Sequence, residues 1–456
     1  MKSFLGVSQP RLRSLFVVGE LLLIATLAFI ASQRQLTLVL LIPFGIGMVL
    51  TFLRWPSLGL IAAALGGMVV PLYGPSGLNV TMVLIALLLG LWLFDMVARQ
   101  HQIQLAPSRT VWPLLSFLVV AVFSLGLGQL PWLSFALHAP MGAQLGGLAI
   151  LVLSAGAFLL VANQVQDLRW LSTITWAFLA LGAMAILVRS VLPALGLPTR
   201  NLFQTEGTVF FIWLVAMAFS QALFNRDLHR VWRLSLGGLV LVTIYILFVM
   251  KFADKSGWLS CFACIAAIIV ARSWRAGLAL IPAAALSTLY LWTRLVSTDE
   301  YSISTRFDAW SIMAKIIKIS PIWGLGFANY YWYTPLFPIR GYAVSFNSHN
   351  NYVDIVAQTG LVGLVCLLWF FWEVGRLGWQ LREHAPSGFA RAYVYGALGG
   401  LAGMLVAGML GDWVLPFFYN LGLNGFRSSM LGFLFLGGLV SLEQILMRQT
   451  LTVTDG

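Results

Sequence analysis

The chain has 456 residues, 60% of them hydrophobic and only 9% charged, with a formal charge of +12. A water-soluble chain carries about a quarter charged residues, so an aqueous globular fold is excluded and lipid is the solvent. The basic residues are scattered between apolar runs rather than gathered on a hydrophilic domain, which excludes nucleic acid as a partner and assigns the charge to topology and to an anionic ligand.

In chain order the apolar runs predict helices over Ser14–Ala31, Leu36–Leu53, Leu58–Tyr73, Leu78–Val97, Trp112–Gly128, Gln144–Asn163 and Trp170–Val188. They continue with Thr208–Phe224, Leu234–Phe252, Gly257–Ala271, Gly277–Leu295, Tyr352–Leu377, Ala392–Leu410 and Ser428–Met447. A hydrocarbon core of about 30 Å needs roughly 17–25 such residues per helix. The runs are continuous rather than alternating, so they are helices and not barrel strands. The expectation is an all-α polytopic integral membrane protein, one transmembrane domain over 1–456, with about fourteen spans, or twelve to fourteen allowing for short and interrupted runs.

Direction follows from Lys and Arg. With the lead carrying Lys2, Arg11 and Arg13 inside, alternate turns are basic: Arg54, Arg99 and Arg109, Arg169, Arg226, Arg230 and Arg233, Arg272 and Arg275, Arg376, Arg382 and Arg391, and Arg448. The positive-inside tendency then places both termini in the cytoplasm. The first run lacks a small-residue cleavage site and reads as a retained helix. The cations that break the pattern, Arg200, Lys251, Lys255, those of the long segment 296–351, and Arg427, fall on the opposite face. That segment is too long for a plain connector. Its "MAKIIKISPIWGLGF" and "YYWYTPLF" predict an amphipathic helix, a turn and an ordered cap on the membrane surface.

The fragment "SHNNYVDIVAQTGLVGL" puts His349 where this cap feeds a helix. Ser348 and Asn350 suit the N-cap region, whose backbone N–H groups and positive helix end favour an anion. Gly360 and Gly363, one turn apart, would let a neighbouring helix approach. Upstream, "STRFDAW" carries Arg306 and Trp310, and "PIWGLG" carries Pro321, Gly324 and Gly326. Lys255 in "ADKSGW" and Arg200 in "LPTRNLF" add outer-face cations, whose plain alternatives are a snorkelling side chain and a surface charge. "GDWVLPFFYNLGLNGFR" offers Asp412, Tyr419 and Arg427 as a substrate wall, with Asp412 a candidate partner for Arg427; its plain alternative is an aromatic interface belt. Cys261 and Cys264 lack a second pair and read as packing residues. Glu20 and Asp95 are acids in or near helices, on the side expected to be cytoplasmic. The acidic pair Asp299-Glu300 reads as solvated loop charge, and no metal site is expected.

His349-Asn350, nine residues, Gly360, two residues, Gly363 matches the O-antigen ligase signature histidine–[Asn/Ser/Gln]–x9–Gly–x2–Gly, and Arg306-x3-Trp310 with Pro321 and Gly324-x-Gly326 resembles the family's preceding segment. The resemblance is specific over about 304–377. It implies a fold similar to metal-independent GT-C membrane glycosyltransferases in a bacterial inner membrane, without cofactor. It also implies a glycan donor on undecaprenyl diphosphate, taken on the periplasmic face. The acceptor is lipid A core in ligases and a growing glycan in polymerases. The family's histidine and arginine carry over to His349 and Arg306. Where relatives have a Ser-Arg-Gly-like segment, this chain has Lys255-Ser256-Gly257, and lysine lacks arginine's bidentate fork.

The residue chemistry points the same way. An acceptor hydroxyl must lose a proton near neutral pH, which suits histidine. Charge growing on a leaving diphosphate suits Arg306 and Lys255, with Arg200 third. Trp310 and Asn350 would flank the substrate. The competing class is a transporter or flippase of lipid-linked glycans, which should show internal repeats and midplane broken helices; the sequence shows no repeat.

Overall fold

The computed structural model describes residues 45–71, 74, 77–197, 203–204, 207–279 and 304–454. The chain divides into two compact units, Met1–Gly59 and Leu60–Gly456. The described part of the first holds α1 (Gly45–Arg54) and the start of α2 (Pro56–Val69). The second continues with α3 (Val80–Gln100), α4 (Val111–Leu127), α5 (Met141–Gln164), α6 (Leu168–Ala194), α7 (Thr208–Phe224), α8 (Arg230–Met250) and α9 (Lys255–Arg272). Then come α10 (304–317), the short α11 (Asn329–Tyr333), α12 (Asn351–His384), α13 (Phe389–Leu410) and α14 (Phe426–Thr454).

Among the described residues, eight helices are long and apolar enough to cross a membrane, and four shorter apolar helices accompany them. Each of the twelve overlaps an expected run, and α7 has the expected bounds. The remaining two expected runs, Ser14–Ala31 and most of Gly277–Leu295, lie outside the described residues. Polar residues start the helices as N-caps: Asn79 for α3, Asp167 for α6, Asp254 for α9 and Asn350 for α12. Each accepts from a backbone N–H that has no partner within its own helix.

The centre is α7, wholly buried over Ile212–Ala218 and packed against α9 and α13. Glycines in α13 allow the approach: Gly400 receives the Trp213 ring, Gly399 the Ile268 side chain and Gly403 that of Ile212. Without a hydrophobic force between helices in lipid, such close packing is what holds them. Rings extend the core, with Trp213 stacked on Phe435 at 5.1 Å and Phe158 edge-on to Phe370 at 5.0 Å.

Long-range bonds sort the helix ends into two rims. At one rim Asn79 Nδ2 donates to Leu423 O, Asn329 Nδ2 to Gly128 O, and Arg306 Nη1 to Leu410 O. At the other, Arg382 Nη1 donates to Ala271 O, Arg448 Nη1 to Gln166 and Ser441 Oγ to Val165 O.

The segment after residue 303 folds as a cap on the first rim. α10 is amphipathic as expected, burying Ala309, Ile312, Met313 and Ile316. Ile312, Met313 and Ile316 join Leu325, Tyr330, Tyr333, Ala357 and Phe417 in one apolar cluster.

One expected reason is corrected. Gly360 does not serve helix–helix approach. It breaks α12, with φ 73° and ψ −178°, a region open essentially to glycine. At the break the backbone pairs with the "PIWGLG" strip: Leu361 N donates to Pro321 O (2.9 Å) and Val362 N to Ile322 O (3.2 Å), while Leu325 N and Gly326 N donate to Ala357 O and Gln358 O. A side chain on Gly360 would strike the Ile322 carbonyl, and one on Gly324 (φ 77°) the Gln358 carbonyl. The signature glycines therefore build a backbone joint between cap and broken helix. Gly363 lies against the Thr359 side chain of its own helix.

Candidate active site

The loop before α12 is fixed by its buried polar residues. Asn350 Oδ1 accepts from Tyr352 N and Val353 N, forming the expected N-cap. Ser348 Oγ donates to Asp354 Oδ1 at 2.7 Å, and Tyr330 OH donates to the same oxygen at 2.6 Å. Trp310, one turn after Arg306, donates from Nε1 to Ser348 O at 2.8 Å. Between the buried Ser348 and Asn350, His349 takes a left-handed conformation (φ 49°) and is exposed. A non-glycine residue there is uncommon; the flanking anchors hold the strain and turn the imidazole outward. Among the described residues no hydrogen bond engages either ring nitrogen.

Asn351 carries the order across to the loop after α13. Its Oδ1 accepts from Val414 N (2.9 Å) and Leu415 N (3.3 Å), and its Nδ2 donates to Leu415 O (2.7 Å). This sets the loop that holds Asp412, whose buried carboxylate accepts from Phe417 N at 2.9 Å and Asn420 Nδ2 at 2.7 Å. Those bonds lie within its own loop. Arg306 comes from α10, its Nη1 donating to Leu410 O at 3.0 Å at the end of α13.

His349, Arg306 and Asp412 interact electrostatically. Desolvation by its surroundings pushes the His349 pKa below its ordinary value; the Asp412 carboxylate opposes this and the Arg306 guanidinium adds to it. The net direction keeps the imidazole neutral and basic at neutral pH. Burial raises the Asp412 pKa, while its hydrogen bonds and His349 hold it back. The arrangement can accept a proton at His349, stabilise the resulting imidazolium through Asp412, and offer an anion the Arg306 guanidinium.

The other expected residues are placed differently. Lys255, half-buried at the start of α9, belongs to the same rim. It is linked to the site stepwise: Ser256 Oγ bonds Thr208 Oγ1 at 3.0 Å, and Gly207 abuts Ser428 and Trp413. Arg427 is buried in the first turn of α14 beside Gly67. Tyr419 joins the aromatic cluster around Phe417, accepting from Trp332 Nε1 and stacked on Tyr331 at 4.6 Å. The Asn350 side chain is engaged in capping. Arg200, Glu20 and the pair Asp299-Glu300 lie outside the described residues. Asp95 is at the other rim, paired with Arg99 at 2.8 Å. Among the described residues no cluster of three His, Cys, Asp or Glu side chains is arranged to hold a metal.

Three residues that order the site, Asp354, Tyr330 and Asn351, are not among the candidates drawn from sequence. Asp354 carried a signal: a carboxylate one turn into an apolar helix needs a reason to be there. Tyr330 and Asn351 carried none, because their partners are 24 and 64 residues away.

A comparison with protein families matches residues 207–368 to the family described as O-antigen ligase. This stretch of the chain is of the O-antigen ligase family. The O-antigen ligase match runs from the start of α7 past the break in α12, and includes Lys255, Arg306, Trp310, His349, Asn350, Gly360 and Gly363. Asp412, Tyr419 and Arg427 lie beyond it. The match supports glycan transfer in polysaccharide assembly by a membrane protein. No curated protein matches the chain.

Proposed function

We propose that this protein transfers a glycan from an undecaprenyl-diphosphate carrier to an acceptor hydroxyl, without a metal and with inversion at the sugar carbon, as an O-antigen ligase or a surface-polysaccharide polymerase. The reading rests on one juxtaposition: an outward, neutral imidazole at His349 beside the Arg306 guanidinium and backed by the Asp412 carboxylate. The acceptor oxygen forms a bond to the anomeric carbon as its proton passes to His349. The carbon–oxygen bond to the diphosphate breaks, and the leaving diphosphate gains charge beside Arg306. Lys255 and Arg200 are proposed as further cations for that charge. A fixed guanidinium acts most strongly where water is partly excluded, and the cap supplies that shelter. The acceptor is lipid A core or a growing glycan.

Charge supports an extracytoplasmic site in a bacterial inner membrane. The rim opposite His349 carries Arg99, Arg169, Arg226, Arg272, Arg382 and Arg448, as the positive-inside tendency requires of the cytoplasmic side. Both termini then face the cytoplasm. Purified protein in nanodiscs, given carrier-linked glycan and acceptor with excess EDTA, is expected to form the inverted product and release carrier diphosphate. Loss of transfer in EDTA, or movement of the carrier between leaflets without transfer, would overturn the proposal.

A further inference from the structure

At the rim opposite His349, the ends of α7, α9 and α13 splay and leave a cleft of about 360 Å³. Its walls include Leu223, Phe224 and Ile269, and three arginines line it: Arg226, Arg272 and Arg391. Arg226 and Arg272 are exposed and make no hydrogen bond or ion pair among the described residues. Arg391 directs Nε and Nη2 to Ala385 O at 3.1 and 3.0 Å, which leaves Nη1 for another partner. No acid lines the cleft among the described residues; Asp227, next to Arg226, lies against Gly388, and Glu383 pairs with Arg382.

The positive-inside tendency explains arginines at this rim. It does not explain why three, from two helices and the turn after a third, converge on one cleft with apolar walls. A cleft with cationic groups and greasy walls complements an amphiphile with an anionic head. The depth in the bilayer fits as well: Trp232 and Trp274 are each 64% exposed near the same rim, as expected of side chains at the headgroup level.

We propose that this cleft is a binding site for an anionic phospholipid. The headgroup phosphate is held by Arg226, Arg272 and the remaining N–H groups of Arg391, and an acyl chain runs along Leu223, Phe224 and Ile269. The site is independent of the glycan-transfer reading and lies at the opposite rim.

The test uses the full-length protein, exchanged in detergent with equal phosphatidylglycerol and phosphatidylcholine, and retained lipid is counted by native mass spectrometry. Wild type is expected to retain phosphatidylglycerol selectively. Arg226→Gln/Arg272→Gln, which leaves the Arg391–Ala385 bonds in place, is expected to lose about 25-fold in retention, at about fivefold per arginine. Arg169→Gln/Arg230→Gln removes the same charge from the same rim away from the cleft and is expected to retain the lipid. Equal losses in the two double variants would mean diffuse surface charge and overturn the proposal. Displacement of the lipid by inorganic phosphate alone would mean a plain anion site and would overturn it too. No selectivity in wild type has the same consequence.

Discussion

Replacing Gly360 with alanine strikes the joint between cap and broken helix. The native φ of 73° and ψ of −178° would cost an alanine about 1–3 kcal/mol. The new methyl group also meets the Ile322 carbonyl and the Trp323 N–H. These are backbone atoms that cannot rotate away, so overpacking adds about 1–3 kcal/mol. The sum, about 2–6 kcal/mol, is enough to break the bonds from Leu361 N to Pro321 O and from Val362 N to Ile322 O. At about 2 °C per kcal/mol for a large chain, the midpoint should fall by about 4–12 °C. Gly238→Ala is the control, because nothing lies within 4 Å of its added methyl, and it should melt at or slightly above wild type. Differential scanning fluorimetry in detergent reads both variants. Transfer activity should fall with Gly360→Ala, since the joint braces the helix that starts beside His349. A Gly360→Ala protein melting within a degree of wild type would refute the joint.

Opposite shifts in pH dependence are expected from the two charges around His349. Asp412 raises the His349 pKa and Arg306 lowers it. Asp412→Asn should therefore move the acid limb of the transfer profile to lower pH, and Arg306→Gln should move it higher while cutting kcat/KM by about 100-fold or more; limbs that move together would contradict the assignment. Tyr330→Phe removes a donor from the buried Asp354, whose Oδ2 already lacks a hydrogen bond. The variant should lose about 1–3 kcal/mol of stability, measured by thermal melting, with transfer falling as the Ser348 loop loosens. Lys255→Ala should raise KM for the carrier-linked donor less than Arg306→Ala does, because Arg306 is the cation that acts directly on His349; a larger effect in a steady-state comparison would put Lys255 at the diphosphate.

The helices were legible because lipid demands long apolar runs, and α7 could be read to its ends for that reason. The amphipathic α10 was legible too, because Ala309, Ile312, Met313 and Ile316 mark one helical face. His349 and Arg306 were found through a spaced signature. The joint was not, because a glycine's φ is set by the chain that packs on it, here residues 321–326. Asp354 stands out as a carboxylate in an apolar helix, but its partners Ser348 and Tyr330 converge only when the cap folds. α12 ends seven residues beyond the expected Leu377, at His384. Its last turns rise past the apolar stretch onto the basic rim, where Arg382 bonds Ala271 O.

Single-turnover transfer by His349→Ala, with pre-bound carrier-linked glycan and saturating acceptor, tests the central claim most directly. If the imidazole takes the acceptor proton, the chemical step should slow by about 100- to 10,000-fold while the donor still binds and the protein melts as wild type does. A variant that transfers at the wild-type rate would contradict the account.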